Sequence, residues 1–502
     1  MDADIALDSM KTRRDVELSA PSAHEVTDIA KGINSDITRL DPFGLPLQPA
    51  ATGDELDPLE WSKARKYFIL FIACVGNFLT IYITVNTVQN FFVLTDLFDA
   101  TYSEINWTMA VTSLGIVTAL LLFSPLVDLY GRRKVMAVSS ALTCIVSGCI
   151  TLRSLNYNAY LALRFLQGLA TGPMTTASFA IMIDISWEHE MGFHMGLWAI
   201  SIDLAFTIGA IISGFTASTG PYWAQWHVAI IYGLLFLLCV SFLPETLYPR
   251  DVILEKIHNG EAYHHLQRTK DIKIWNLTTI PGIPRIHLYT TVLTFFTSFK
   301  RSRLVIVALT FSFFQYWWSP AFLTMGPIAY ASFDTETQGL FYIGFTLGVL
   351  MTEVLGAGRL SDYICSKLAL RNDGVRRPEM RLYLGYPAAV VSTIGLVIWG
   401  LAVDRSWHWM VSEVGLFMIA VGLQTGFGAV CAYIFECYHD NYMHVMMFLL
   451  VFTNGSSFVV SFFINDWVTA VGFTWSFGTQ GLICLLLIPV YVYLQTKGRD
   501  LA

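Results

Sequence analysis

Charge is what this sequence has least of. Asp, Glu, Lys and Arg make up 14% of its 502 residues, against about 25% in an ordinary soluble domain. So few charges cannot cover a water-soluble chain of this length. With 54% of positions hydrophobic and a mean hydropathy of +0.54, most of the chain is expected in lipid. The basic residues are not pooled into one stretch and the formal net charge is −7, so the electrostatic footprint of a nucleic-acid binder is missing. Cysteines number eight, almost all inside apolar runs and none in paired CxxC spacing, which argues against a zinc site or a disulfide scaffold and leaves them as packing residues. His189 with His194 and His439 with His444 are each five apart and lack a third ligand at metal spacing, so no metal is expected. No nucleophile–base constellation stands out, and an enzyme is not expected. The first 60 residues carry no apolar run behind a basic start, so membrane insertion is expected to use the first membrane helix itself.

What the sequence has instead is long apolar runs. A spanning helix needs about 20 mostly apolar residues, and twelve segments are predicted to meet that need: Tyr67 to Val85, Ile105 to Leu126, Val135 to Leu152, Ala159 to Ile183, Met195 to Phe215, Trp226 to Leu243, Leu304 to Tyr330, Leu340 to Leu360, Leu382 to Ala402, Trp409 to Phe435, Val445 to Ile464 and Phe473 to Tyr493. The expected organisation is an all-α membrane protein of two six-helix pseudo-repeats. Residues 1–66 form a mostly disordered N-terminal tail, 67–243 the first half, 244–303 a linker, 304–495 the second half and 496–502 a short C-terminal tail. With the N-terminus inside, 28 of the 31 Lys and Arg lie on the cytoplasmic side, and the short loops alone split 11 to 2. Basic residues in short loops resist translocation, so both termini are expected to be cytoplasmic.

A trace of internal repetition lies at the end of the second span of each half. Ser124-Pro-Leu-Val-Asp128 aligns with Gly358-Arg-Leu-Ser-Asp362, with a small residue, Leu and Asp in register. Repeats of this kind place a transport site between the halves near the bilayer midplane. A carboxylate at such a helix end can hold a neighbouring helix N-terminus or a loop arginine and bias one conformation over another. The blander reading makes Arg132, Arg133 and Lys134 topology determinants only and leaves Asp128 solvated.

Within the spans, Arg164 opens a polar stripe. Residues 164, 167, 168, 171, 172 and 175 share one helical face, and a charge that is costly in lipid must turn toward a cavity or partner, unless it snorkels to the nearby end. Asp203 sits in the fifth span with Ala199, Thr207, Ala210 and Gly214 on its face, and Glu353 is an acid inside the eighth. By rise per residue, both acids lie roughly 10 to 14 Å from the inner boundary, so Asp203 and Glu353 are candidates for a coupled carboxylate site holding one proton. Each could equally answer only to its own polar neighbours. The expected cavity lining is polar and aromatic: Asn77, Thr80 and Thr84, Gln167, then Gln315, Tyr316 and Trp317, with Gln424 and Asn454. Large π-faces with a few amides suit a bulky, partly apolar ligand.

The stretch Ser124-Pro-Leu-Val-Asp128-Leu-Tyr-Gly131-Arg132-Arg133-Lys134 resembles the signature loop of the major facilitator superfamily, and the resemblance extends over the whole membrane region. It implies that Asp128, Gly131, Arg132, Arg133 and Asp362 act as a conformational latch, and that Arg164, which begins a stretch resembling the superfamily's fourth-helix motif, is linked to proton coupling. It also implies that the fifth and eighth helices meet between the halves. Leu243-Pro-Glu245-Thr246, Arg377-Pro-Glu379-Met-Arg381-Leu382 and Asn454-Gly-Ser-Ser-Phe458 look like the fungal drug:proton antiporter branch. Two details depart from it. The fifth span reads Gly209-Ala210-Ile-Ile-Ser213-Gly214 without the proline of the antiporter motif, and Met191 stands where an arginine is common. The resemblance implies proton-coupled efflux of a secondary metabolite or xenobiotic by a monomer at the plasma membrane, driven by a proton gradient without a cofactor. Import of a nutrient or polyamine-like solute is the alternative the same fold supports.

Overall fold

A computed structural model of the chain describes residues 56–250, 288–354, 357–371, 377–438 and 442–497, together with positions 49, 52, 54, 253 and 254. Within them the backbone is helical nearly throughout, as lipid demands, because no water is present in the hydrocarbon to satisfy an open N–H or C=O. The long helices of the first half are α1 Lys63–Val85, α2 Tyr102–Phe123, α3 Arg132–Ile150, α4 Tyr157–Asp184, α5 Glu188–Thr219 and α6 Trp223–Phe242. In the second half they are α7 Ser302–Ala329, α8 Ile343–Val354, α9 Gly385–Asp404, α10 Trp409–Cys437, α11 Tyr442–Val460 and α12 Ile464–Leu485, the last continued by Leu487–Lys497.

Local chemistry sets several ends. Thr101 and Glu104 form a reciprocal capping box at the start of α2, and Asn156 accepts from the Ala159 N–H to start α4. Gly472, at φ +82°, breaks α12 where the side chain of Asp404 accepts from the N–H groups of Phe473 and Thr474 at 3.1 and 2.7 Å. The backbones of α2 and α4 touch so closely that a Cβ on Gly168 would overlap the Thr112 carbonyl, the small-residue contact that replaces hydrophobic driving force between helices in lipid.

The two sextets repeat one packing scheme. In the first half α2 lies on α4 and α3 on both α4 and α6; in the second, α8 lies on α10 and α9 on both α10 and α12. The halves meet along α5 against α8 and α2 against α11, which a pseudo-two-fold exchange of the halves interconverts. The repeat seen at Asp128 and Asp362 thus extends to the whole architecture. A short helix follows the second span of each half, Pro125–Tyr130 after α2 and Ala357–Leu370 after α8.

Ten of the described helices are long and apolar enough to cross a bilayer by length and composition alone. Two predicted spans miss that mark for physical reasons. The helix α4 has 28 residues, but glycines, threonines and Arg164 on its buried face dilute its hydropathy. The eighth span, expected as one rod from Leu340 to Leu360, is a 12-residue helix followed by a second helix from Ala357. The structure also places a helix, Leu288–Ser298, in the stretch read as linker. Order begins before Trp61: Asp57, fully buried, caps the 3-10 turn Pro58–Glu60 and takes both arms of Arg250 at 2.9 and 3.3 Å. The remaining positions of the expected tails and linker lie outside the described residues.

Candidate functional site

Midway along α5, Asp203 is 1% exposed and its Oδ2 has no hydrogen-bond partner. Three helices of the second half converge on it. Tyr316 of α7, Glu353 of α8 and Cys431 of α10 all lie within electrostatic reach of its carboxylate, and the Phe206 ring one turn along α5 meets Tyr316 edge-on at 6.1 Å. Tyr316 closes a π-helical stretch, Phe311–Tyr316, inside α7. Such a bulge adds a residue to the turn and redirects side chains, which is why π-turns recur at functional sites. Here it sends Gln315 onto α10, where its amide donates to the Gly422 carbonyl at 2.9 Å and packs on Gly426.

Glu353 does not hydrogen-bond to Asp203. Its Oε2 accepts from Gln424 Nε2 at 3.0 Å, and its Oε1 rests on Gly196 of α5, where a Cβ would overlap it. Gly196 precedes Asp203 by two helical turns, about 10 Å along the axis, so the acids are stacked along the seam rather than level. The expectation that their depths match is corrected accordingly: Glu353 points toward the end bearing Arg132, while Asp203 stays central. A carboxylate so dry, with no bond to Oδ2, is a group whose charge depends on whether water reaches it. In this state water does not.

Other expected lining residues are distributed unevenly. Tyr316 and Gln424 belong to the seam, Gln315 is held within the second half by the Gly422 carbonyl, and Asn454 of α11 bonds the Leu450 carbonyl of its own helix at 2.9 Å. Asn77 instead joins α1 to α5 inside the first half, through the Trp198 carbonyl and Ser201 Oγ at 3.3 and 2.9 Å. Thr84 bonds back to Ile81 of its own helix and Thr80 to Gly76. Trp317, next after Tyr316, stacks on Trp467 of α12 with ring centroids 6.2 Å apart. Gln167 is held within the first half by Ser147 of α3 and Gln225 of α6, at 2.8 and 2.9 Å.

Arg164 is the cation of that same interior network. It is fully buried, donating to Gln167 Oε1 at 2.7 Å and Thr87 Oγ1 at 3.4 Å. The polar stripe of α4 therefore turns inward, and snorkelling does not occur. Thr171, one turn beyond Gln167, meets Tyr232 of α6 at 2.8 Å and Thr80 at 3.2 Å.

At the Arg132 end, Asp128, Arg132 and Arg133 of the expected latch join a ring of contacts. Arg132 reaches Asp128 at 3.0 Å and Asp184, the last residue of α4, at 2.9 Å. Its backbone N–H donates to Glu245 at 2.9 Å, and Arg133 donates to the Val240 carbonyl at 2.6 Å. Gly131, at φ +95°, has no alternative there, since any Cβ would meet the Glu245 carboxylate. The second half repeats the theme with Arg381, which donates to Glu436 at the end of α10 at 2.9 Å and to Ser361 at 2.8 Å. Asp362 lies on the Ala357–Leu370 helix, and its side chain is outside the described residues. Asp184, Glu436 and Glu413 were not singled out by sequence reasoning, and Glu245 entered it only as part of a motif closing the sixth span. Glu413 of α10 accepts from the Gly344 N–H at 2.7 Å, near the start of α8. An acid in an apolar run is the signal that could have found it.

The family model described as Major Facilitator Superfamily matches residues 67–462. The chain is 22% identical to an uncharacterized MFS-type transporter of Schizosaccharomyces pombe, over 91% of this chain and 87% of that protein. It is 25% identical to the efflux pump FUB11 of Gibberella fujikuroi, over 77% of this chain and 67% of the pump. Its structure is similar to the xylose transporter XylE from E. coli in a partially occluded inward open conformation, with a TM-score of 0.63 at 16% identity, covering 86% of this chain and 98% of that one. At that identity the likeness is one of fold.

Proposed function

The chain belongs to the Major Facilitator Superfamily and is an integral membrane transporter rather than an enzyme, and from that premise we propose that it exports a bulky, partly apolar small molecule in exchange for protons, by alternating access of the seam around Asp203. The observation that carries the proposal is the placement of Asp203. It is a dry, central carboxylate on a helix of one half, with Tyr316, Glu353 and Cys431 of the other half's helices α7, α8 and α10 within electrostatic reach. When the halves part on one side, water reaches this carboxylate and it exchanges a proton; when they close, the proton is held in a low-dielectric site. Tyr316, Phe206 and Gln424 give the same seam aromatic faces and an amide, which favours a ligand of mixed polarity. Efflux is supported by the name of one relative, the pump of Gibberella fujikuroi. The basic end is then the cytoplasmic one, with both termini on it and the plasma membrane as the site of action, and the chain working as a monomer.

The test is transport in sealed vesicles with an imposed pH gradient and a fluorescent apolar cation or neutral dye as cargo. Asp203→Asn is expected to lower gradient-driven flux by about tenfold or more, the scale of losing a positioned proton-transfer group, and Glu353→Gln to lower it less. If the double variant responds to the gradient as the unaltered protein does, the coupling role is wrong. Uptake of a cationic, polyamine-like solute is a second reading, favoured by two seam acids with no basic side chain bonded to either among the described residues. Accumulation of candidate metabolites inside a deletion strain would support export, and loss of uptake in the same cells would support this second reading.

A further inference from the structure

A groove on the described surface has no part in the transport seam. It lies between α2, α3 and α4 on the outer face of the first half and has a volume of about 530 Å³. Its walls include Phe123 of α2, Val138, Leu142 and Val146 of α3, and Leu169 and Pro173 of α4. Val138 and Leu142 are each 49% exposed, so the groove opens sideways into the bilayer, away from Asp203. From Lys134 to Val146 it follows α3 for about 18 Å at 1.5 Å per residue, close to the roughly 15 Å depth of one leaflet's hydrocarbon.

Apart from the buried Ser139, the polar side chains of the lining gather at one end. There Lys134 and Tyr130 line the mouth, and Arg133 is the next residue on α3. Lys134 itself is 4% exposed and lies in the field of Glu245, which also accepts from the Arg132 N–H. An apolar slot one leaflet deep with a cation at the interfacial end has the shape and charge of a lipid turned inside out.

We propose that this groove binds an anionic glycerophospholipid of the leaflet at the basic end, with one acyl chain along α3 and the phosphate sharing Lys134 with Glu245. The occupant follows from charge complementarity and from the depth of the slot. A zwitterionic lipid fits the apolar part equally well but does not use the lysine, and a transported apolar compound needs neither the interfacial cation nor the one-leaflet length. Because Glu245 also holds the Arg132 backbone, the headgroup would be part of the ring at that end. The proposal does not depend on the direction or coupling of transport.

The experiment is lipid retention by the full chain, reconstituted in equal phosphatidylserine and phosphatidylcholine, purified in mild detergent and measured by native mass spectrometry. The unaltered protein is expected to retain phosphatidylserine over phosphatidylcholine by about fivefold, the scale for one basic residue at an anionic surface. Lys134→Gln should bring the ratio near one while keeping total retained lipid. Val138→Trp, which fills the slot from its lipid-exposed wall, should lower total retained lipid. Leu237→Trp on α6, 58% exposed and outside the groove, is the control and should behave as the unaltered protein does. Equal retention of both lipids by the unaltered protein would mean annular lipid only and overturn the proposal. An unchanged ratio in Lys134→Gln, or displacement of lipid by a transported dye independent of Lys134, would overturn it as well. Circular dichroism and monodispersity of each variant separate loss of the site from loss of the fold.

Discussion

The two ends of the helical bundle are held by different forces, and those forces act on different units. At the basic end, the described ionic contacts of Arg132 close within the first half, on Asp128 and Asp184, and those of Arg381 close within the second, on Glu436. At the opposite end the polar contacts cross between the halves. The Tyr102 hydroxyl donates to the Thr324 carbonyl at 2.7 Å, Ser103 bonds Asp466 and Asn465 at 3.1 and 2.8 Å, and Gly214 of α5 lies against the short helix Thr335–Leu340. Strong interactions thus stiffen each half as a body, and weak, replaceable ones join the bodies. That is the division of labour a rocking transporter requires, since a seam that opens on every cycle cannot be tied by contacts costing several kcal/mol to break. One feature crosses at the basic end as well: Asp128 is within electrostatic reach of His444 at the start of α11.

If this division is right, the largest loss of stability comes from a residue that never touches the other half. Arg132→Ala removes the cation between Asp128 and Asp184 and leaves Asp184, whose side chain is only 17% exposed, without its ion pair. The expected cost is about 3 to 5 kcal/mol, the range for breaking a buried pair from one side, read from denaturant unfolding in detergent micelles. Thr246, which donates to Asp184 at 2.9 Å, offsets only part of it. A loss below about 1 kcal/mol, the worth of a surface pair, would erase the contrast between the ends.

A smaller effect on stability and a larger one on conformation is expected at the opposite end. A Cβ on Gly214 would sit 2.5 Å from the Thr335 carbonyl oxygen and 3.0 Å from the Gly339 Cα. Both are backbone atoms, which cannot swing aside as a side chain would. Gly214→Val should therefore part α5 from the Thr335–Leu340 helix, costing about 1 to 3 kcal/mol as an overpacked contact does, and shift the population toward an open opposite end. Spin labels at Thr219 and Glu336, both exposed, should report a longer distance by pulsed electron resonance in the variant. An unchanged distance with an unchanged unfolding midpoint would show that this contact is incidental to closure.

The sequence made the architecture legible for a simple reason: lipid imposes one requirement on every span, and apolar length meets it locally. Arg164 was legible as an inward-facing group for the converse reason, since a cation in an apolar run must find partners, and it lies buried against Gln167 and Thr87. The ring around Arg132 was half legible. Gly131, Arg132 and Arg133 stand together in sequence, but Glu245 lies 113 positions from Arg132, and only the fold brings it to the Arg132 N–H. Trp317 and Gln167 show the limits of reading a side chain's surroundings from sequence. A π-stretch in α7 breaks the regular spacing on which an assignment of facing rests. Gln167 obeyed its periodicity, but a buried helical face inside a six-helix half looks the same in sequence as one at the seam between halves.

The smallest expected effect tests the same closed end by pH. Asp334 caps the Thr335–Leu340 helix, its carboxylate accepting from the Thr337 N–H at 3.2 Å and the Thr337 hydroxyl at 2.7 Å. Those hydrogen bonds favour the charged form and hold the carboxyl below its ordinary value. A carboxyl whose folded value is depressed adds stability above its unfolded value, about 3.9 for Asp, and that contribution disappears as pH falls through the lower folded value. Near neutrality Asp334→Asn should matter only to the extent that Asn caps less well, and the charge-dependent part should show as acid weakening below about pH 4. The same pair of labels at Thr219 and Glu336 reads it: in the unaltered protein the distance distribution broadens across that range, and in Asp334→Asn this component is missing. A broadening of equal size in both would assign the acid response to other carboxylates and leave the cap a purely local feature of the helix, with no hold on the seam.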